Sequence, residues 1–275
     1  MPLGPFLDAT GESLTLAAPP RRIVSLIPSV TELLFALGAG AVVAGCTVYC
    51  TEPAAGVATK IRVGGEKNPK LEVIRDLGAD LVIANIEENL RDHVLTLRSW
   101  GIPVYVIYPH TVAEGIRLVR DLGAVIDRPD EGRDMEATLL TALEDARRRL
   151  AGRPAPRVFY PIWRRPWMSI GRDTYAHDML TVCGGDNVFA GSAARYPEVT
   201  LDEVASAAPD VILLPDEPYR FRHAHVADFD AYPDLPAVRE RRVHLVDGKL
   251  ATWYGPRIAH ALRELPRLIA APRGV

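Results

Sequence analysis

The 275-residue chain predicts an α/β fold built as two similar lobes, and three features carry that reading. One motif occurs twice with the same internal spacing. Leu71-Glu72-Val73-Ile74, four residues, then Ala79-Asp80-Leu81-Val82-Ile83 is matched by Leu201-Asp202-Glu203-Val204, four residues, then Pro209-Asp210-Val211-Ile212-Leu213. A glycine-bounded segment, 38–45, is echoed by 184–191 upstream of the second copy. Short β-rich runs alternate with helical stretches in both halves, the pattern of a mostly parallel sheet with helices on both faces. Two copies at so long a period are too few for a solenoid, so they read as duplicated lobes with a ligand cleft expected between them.

Residues 22–27 are a β-rich run ended by Pro28, and Ser29-Val30-Thr31-Glu32 has the capping-box form ahead of Leu33, Leu34, Phe35 and Leu37 on one helical face. Further strands are expected at 42–46, 81–84 and 104–107, with helices at 71–77 and 89–100 between them. In the second half 158–161, 188–189, 211–214 and 243–246 take the strand parts, and a closing helix runs from after Pro256 toward Ile269. Between the halves, a charged, alanine-rich stretch from Pro129 to Ala151 reads as one long helix, with Pro129 suited to its start and Gly152 to its stop. It would span roughly 35 Å. The expected domains are thus a first lobe at 1–128, a connecting helix at 129–152 and a second lobe at 153–275, two Rossmann-like lobes joined by one stiff helix.

Composition excludes several classes. Acidic residues outnumber basic ones by 35 to 32 and the basic residues are scattered, which argues against nucleic acid as the partner. The longest uncharged apolar stretch, 33–46, is shorter than the roughly 18 residues of a membrane span. The opening residues carry Asp8 and Glu12 and show neither a basic nor a continuous apolar region of a secretory signal. The expected location is therefore the periplasm or cell surface if a leader was removed, and the cytoplasm otherwise. The three cysteines, Cys46, Cys50 and Cys183, match no zinc spacing and read as small buried hydrophobes. His223 and His225 read as solvated loop histidines and His177 as structural, so no metal site is expected. No nucleophile elbow, Walker loop or paired acid and base appears, so no catalytic residue and no enzyme activity are expected.

The run 22–38, with Leu81-Val82-Ile83-Ala84, Cys183-Gly184-Gly185-Asp186-Asn187-Val188-Phe189 and Pro256-Arg257, resembles the helical-backbone (class III) substrate-binding proteins of ABC importers. Within that family the similarity is greatest to the cobalamin receptors, over about residues 10–270. The resemblance implies a monomeric receptor without a prosthetic group, taking cobalamin or a related corrinoid in the cleft and delivering it to a membrane permease. A ferric siderophore or haem is the alternative ligand. It implies docking of the permease through an acid on each lobe, Glu72 and Asp202 with Glu203 beside it, although each also suits a helix N-terminus. It sets Tyr49 on a ring-contacting tyrosine, Tyr196 on a tryptophan and Met168 on a phenylalanine. Two positions depart: Glu66 replaces a tryptophan, and Trp253 lies near a pocket arginine.

The segment Trp163-Arg164-Arg165-Pro166-Trp167-Met168 places guanidinium groups among aromatics, suited to carboxylate or amide groups of a ligand, and Tyr219-Arg220-Phe221-Arg222 repeats that chemistry. Both follow strands, where ligands of open α/β sheets bind. The expected ligand contacts are therefore Tyr49, Glu66, Trp163, Arg165, Trp167, Met168, Tyr196, Tyr219 and Trp253. The resemblance also implies a disulfide partner for Cys183 in the last helix, where this chain has Pro266. An unpaired thiol there favours a reducing compartment, and with it a cytoplasmic carrier, sensor or processing protein for a corrinoid or other metal chelate.

Overall fold

Parallel sheets form wherever the β-rich runs recur. In the computed structural model, which describes residues 2–270, the first half carries a hairpin of β1 (Leu3–Leu7) and β2 (Ser13–Leu16) and a five-stranded parallel sheet. That sheet runs β5 (Ile61–Arg62), β4 (Val43–Cys46), β3 (Ile23–Ser25), β6 (Leu81–Asn85), β7 (Val104–Ile107). Helices α1 (Pro28–Ala36), α2 (Ala54–Val57), α3 (Leu71–Asp76), α4 (Arg91–Ser99) and α5 (Val112–Val125) accompany it, followed by the 22-residue α6 (Pro129–Leu150).

The second half builds a four-stranded parallel sheet in the order β10 (Asp186–Asn187), β8 (Arg157–Phe159), β12 (Val211–Pro215), β13 (Val243–Val246). A two-stranded antiparallel ribbon joins β9 (Trp167–Met168) to β11 (Glu198–Val199). Helices α7 (Tyr175–Val182), α8 (Leu201–Ser206), α9 (Pro236–Arg239), α10 (Lys249–Thr252) and α11 (Arg257–Ile269) complete it. The chain forms two compact units: Met1–Pro109 with Ala113–Leu139 and Tyr254–Pro256, and His110–Val112 with Leu140–Trp253 and Arg257–Val275.

The repeated motifs have a shared physical cause. Each copy of the first motif is a helix followed by a strand, α3–β6 and α8–β12, and the aspartate before each strand clamps the start of the neighbouring strand. Asp80 accepts the backbone N–H groups of Arg21 and Arg22 at 2.8 Å each, and Asp210 accepts that of Arg157 at 2.8 Å. The glycine motif is a helix stop. Gly38 and Gly184 have φ of +75° and +87° after α1 and α7. In both, the N–H of the glycine reaches Phe35 or Thr181, and the next N–H reaches Leu34 or Leu180, satisfying carbonyls the helix leaves open.

Each sheet buries its own core. In the first unit Val24, Leu26, Val82, Ala84, Val104 and Val106 pack with Ile74 and Leu97 of the helices. In the second, Phe159, Ile212 and Leu214 pack with Val204, Phe221 and Phe229. Helix α11 buries Ile258, Ala261, Leu262, Leu265 and Ile269 on one face. Its C-terminal carbonyls are held by buried Arg242, which donates to Ile269 at 2.7 Å and Ala270 at 2.8 Å.

Three local expectations differ from the structure. Helix α1 starts at Pro28 with Ile27 as its cap and no side-chain cap bond, because Ser29 and Thr31 are buried and Thr31 bonds back to Ile27 O. Strand β10 precedes the apolar pair 188–189, since its register is set by pairing with Arg157 and Val158. Strands β1 and β2 were outside the expected set; they pair only with each other, and Gly4-Pro5 interrupts the local strand signal. Among the described residues, no helix is long and apolar enough to cross a membrane.

Candidate functional site

In the first unit, three loops leave the C-terminal ends of strands β4, β5 and β6, of which β4 and β5 are neighbours and β6 lies beyond β3. The loop after β4 turns through Thr47-Val48-Tyr49 and presents Tyr49 59% exposed, with Val48 exposed beside it. Below that turn, Cys46 and Cys50 are buried, and Arg62 of β5 fastens it by donating to Thr47 O at 2.9 Å, Cys50 O at 2.8 Å and Cys46 Sγ at 3.2 Å. The loop after β5 carries Gly64-Gly65-Glu66. A Cβ on Gly65 would stand 3.3 Å from the Tyr49 ring and 2.4 Å from Asn68 Oδ1, so glycine lets the two loops close together. Glu66 is half-buried, and its carbonyl accepts Asn89 Nδ2 at 3.0 Å from the loop after β6. That third loop is organised by buried Asn85, which accepts Glu87 N at 2.7 Å, and it exposes Ile86. Tyr49, Val48, Ile86 and Glu66 thus occupy one set of joined strand-end loops.

The thiols beneath Tyr49 share one hydrogen-bonded group. Cys50 Sγ is also 3.1 Å from Thr31 Oγ1 and 3.2 Å from Thr47 Oγ1. Hydrogen bonding from Cys46, with help from both threonines and against burial, lowers the Cys50 thiol from 9.0 to about 7. The same bond and burial push Cys46 up. A depressed folded value means the stabilisation is absent below about pH 7, builds through the window to pH 9 and is complete above it, at up to about 1.4 kcal/mol per pH unit. Above pH 9, Cys46 ionises only in the unfolded chain and reverses the trend. Urea unfolding under reducing conditions at pH 7, 8 and 9 is expected to show the rise, and Cys50→Ala to abolish it; the same rise in the variant would place its origin elsewhere.

In the second unit, the segment after β8 folds back on itself. Ile162 N donates to Met168 O at 2.8 Å and Met168 N to Trp163 O at 3.1 Å, with Arg164-Arg165-Pro166 at the turn. Trp163 is 43% exposed and meets Tyr219, from the loop after β12, edge to face at 5.5 Å. Tyr219 packs on Phe221 at 4.8 Å, and Phe221 stacks on Trp167 at 5.6 Å. Trp167 reaches down to Phe159 and Phe229, so it ties the rim to the core while Trp163 and Tyr219 form the rim.

Arg164 is committed to a two-pronged bond with Asp228, at 2.7 Å on each prong, which leaves exposed Arg165 as the other guanidinium of that turn. Met168 and Tyr196 lie half-buried along the β9–β11 ribbon, where Ser169 N donates to Pro197 O at 2.9 Å. His225 accepts the Arg222 N–H through Nδ1 at 3.0 Å and packs on Tyr219 and Phe221. His177 lies 3.3 Å from Asn187 Nδ2 inside the fold. Among the described residues, no group of three or more His, Cys, Asp or Glu side chains is placed to hold a metal ion.

Trp253 stands apart from this rim. It is 5% exposed, donates its indole N–H to Glu217 at 2.6 Å and lies between the cationic groups of Lys249 and Arg257. Glu72 is exposed in the first turn of α3. Asp202 is exposed and accepts Tyr232 OH at 2.7 Å, while Glu203 closes a capping box with Thr200 that lowers its carboxyl's pKa. Sequence reading missed Val48 and Ile86, both of which the strand-end rule would have found. It also missed Asn85 and Asn89, whose loop-building bonds run across segments.

The periplasmic binding protein family model matches residues 23–250. The vitamin B12-binding protein of Vibrio parahaemolyticus is 28% identical over 266 residues, 94% of each chain. An uncharacterised ABC transporter substrate-binding lipoprotein of Bacillus subtilis is 27% identical over 270 residues, covering 95% of this chain and 84% of its own. The periplasmic heme-binding protein from Roseiflexus sp. RS-1 superposes with a TM-score of 0.81 at 25% identity, over 90% of this chain and 97% of its own. With its two parallel sheets, its strand-end loops and a family match spanning both halves, the chain belongs to the periplasmic binding protein family, among the class III substrate-binding proteins of ABC transporters.

Proposed function

We propose that this non-enzymatic receptor captures cobalamin or a related corrinoid for an ABC importer. The observation that carries the reading is the pair of apolar rims at strand C-terminal ends: Tyr49, Val48 and Ile86 on the first sheet, and Trp163 and Tyr219 on the second. A broad, flat chelate with an apolar face needs such side chains, because each aromatic buries much area at small entropic cost. Relatives named for vitamin B12 support the corrinoid, and the heme-binding neighbour supports haem as the second reading. In either case the ligand is cargo and not a prosthetic group. Met168, Tyr196 and Glu66 complete the proposed contacts, with Arg165 and Trp167 beside them. Glu72 and Asp202 are the proposed permease contacts, with Glu203 more fully engaged in its cap.

The test is a titration with cyanocobalamin, dicyanocobinamide, haem and a ferric siderophore, followed by tryptophan fluorescence and the ligand's visible spectrum. Stoichiometric corrinoid binding supports the proposal; haem or siderophore binding alone replaces the ligand and keeps the class. Tyr49→Ala is expected to weaken the accepted ligand by about 10- to 100-fold, the worth of one desolvated aromatic contact, with unchanged unfolding. An unchanged affinity would remove Tyr49 from the site. Binding of none of the four would favour the cytoplasmic carrier, sensor or processing role, which the buried, unpaired Cys183 also fits.

A further inference from the structure

Cys46 and Cys50 sit in a polar setting that packing alone does not require. Cys183 shows the inert case: its sulfur stands 3.9 Å from Met179 Sδ and 3.8 Å from Ala261 O, and burial pushes its thiol up to about 12. Cys46 and Cys50 are just as deeply buried, in one small cluster with Val57, yet each sulfur has polar partners. Arg62 Nη1 donates to Cys46 Sγ at 3.2 Å, while Thr31 Oγ1 donates to Cys50 Sγ at 3.1 Å and Thr47 Oγ1 lies 3.2 Å from it. The two thiols also hydrogen-bond to each other. That bond, with those from the threonines, lowers the Cys50 thiol to about 7, where a thiolate is both abundant and nucleophilic. The same bond pushes Cys46 up. The pair thus joins an attacking thiolate to a second, protonated thiol.

The residues between the cysteines are the turn Thr47-Val48-Tyr49, which exposes Tyr49. Arg62 holds both ends of that turn, donating to Thr47 O at 2.9 Å and Cys50 O at 2.8 Å as well as to the Cys46 sulfur. A covalent S–S bond is shorter than any hydrogen bond between thiols. Closing it therefore draws the sulfurs off Arg62 and the threonines and reshapes the turn.

We infer that Cys46 and Cys50 form a peroxide-sensitive dithiol that closes to a disulfide and thereby moves Tyr49. The Cys50 thiolate attacks one oxygen of hydrogen peroxide, the O–O bond breaks, and Cys50 becomes a sulfenic acid while the departing hydroxide takes up a proton as water. The Cys46 thiol then attacks the Cys50 sulfur, and its proton leaves with the displaced hydroxide as a second water. Two thiols lose two electrons, and one peroxide is reduced to two waters. The effect on ligand rests on the place of Tyr49 in the chelate rim proposed above; the thiol chemistry does not.

The reduced native protein, exposed to hydrogen peroxide and then alkylated, is mapped by mass spectrometry. Hydrogen exchange of the turn and titration of the accepted ligand are followed before oxidation, after it and after dithiothreitol. The expected result is a Cys46–Cys50 disulfide with Cys183 still alkylatable, and faster exchange at Val48 and Cys50, whose N–H groups now donate to Gly64 O at 2.9 Å and Thr47 O at 3.3 Å. Affinity is expected to fall about 10-fold, the worth of a displaced aromatic contact, and dithiothreitol to reverse all three changes. Cys46→Ser is expected to stop at the sulfenic acid, which dimedone traps on Cys50. Peroxide that leaves both thiols alkylatable, or that oxidises Cys183 first, overturns the dithiol. A disulfide that leaves exchange unaltered overturns the movement of Tyr49. Faster exchange with unchanged affinity upholds the dithiol and removes Tyr49 from the ligand rim. If none of the ligands binds, the chelate reading falls, while mapping and exchange still decide the dithiol.

Discussion

Trp253→Ala is expected to destabilise the protein by about 3–5 kcal/mol while leaving the affinity for ligand unchanged. The indole is 5% exposed, so truncation removes a large buried side chain and leaves a cavity. It also removes the donor that Glu217 holds at 2.6 Å. Burial raises the Glu217 carboxyl's pKa, so this group has little solvent to replace the lost bond. Trp253→Phe shifts the balance between the two effects: it keeps a six-membered ring in the core but removes the pyrrole portion with its N–H, at about 1–3 kcal/mol for the lost donor. Urea unfolding and ligand titration on the same preparations decide between the roles. A tenfold loss of affinity with unaltered unfolding would make Trp253 a ligand contact, as the sequence led us to expect, and refute its role as an internal strut.

Asp8→Ala is expected to cost a similar amount, about 3–5 kcal/mol, because it breaks a buried ion pair and strands the other partner. The Asp8 side chain is 1% exposed and accepts Arg98 Nη2 at 2.6 Å. The same carboxylate accepts Thr10 N at 2.8 Å, Glu12 N at 3.1 Å and Val106 N at 3.3 Å, so it ties the β1–β2 hairpin to strand β7. Arg98→Ala is expected to cost less, since the backbone donors to Asp8 remain. The double variant should cost less than the sum of the two, which a double-mutant cycle in urea would measure. A loss below about 1 kcal/mol for Asp8→Ala would mean that the hairpin is held by its apolar contacts alone.

Both cases show where local reading stops. Asp8 entered the sequence analysis as a charge among the opening residues, weighed only against a secretory signal, and its partner is 90 residues away. Trp253 looked like a pocket residue because the family resemblance sets it near a pocket arginine, yet its donor bond goes to Glu217, 36 residues earlier. Arg164 and Arg165 are adjacent and chemically alike, but Asp228 engages the first and leaves the second exposed. Such sorting depends on side-chain partners brought together by the sheet, and no periodicity encodes it.

What could be read from the chain alone is what neighbouring residues settle among themselves. Strands β6, β7, β12 and β13 and helices α6 and α11 follow from apolar runs, proline starts and helical spacing, and the duplicated motifs mark equivalent helix–strand units in the two halves. The Schellman stops at Gly38 and Gly184 are equally local, since only their positive φ and the preceding turn are involved. Long-range packing decided the rest: the start of α1, the pairing of β10 and the thiol group beneath Tyr49. The physical reason is range. Backbone preference and hydrophobic period act over a few residues and specify elements, whereas burial and charge pairing act on whatever the folded chain juxtaposes and specify which side chains remain available to a ligand.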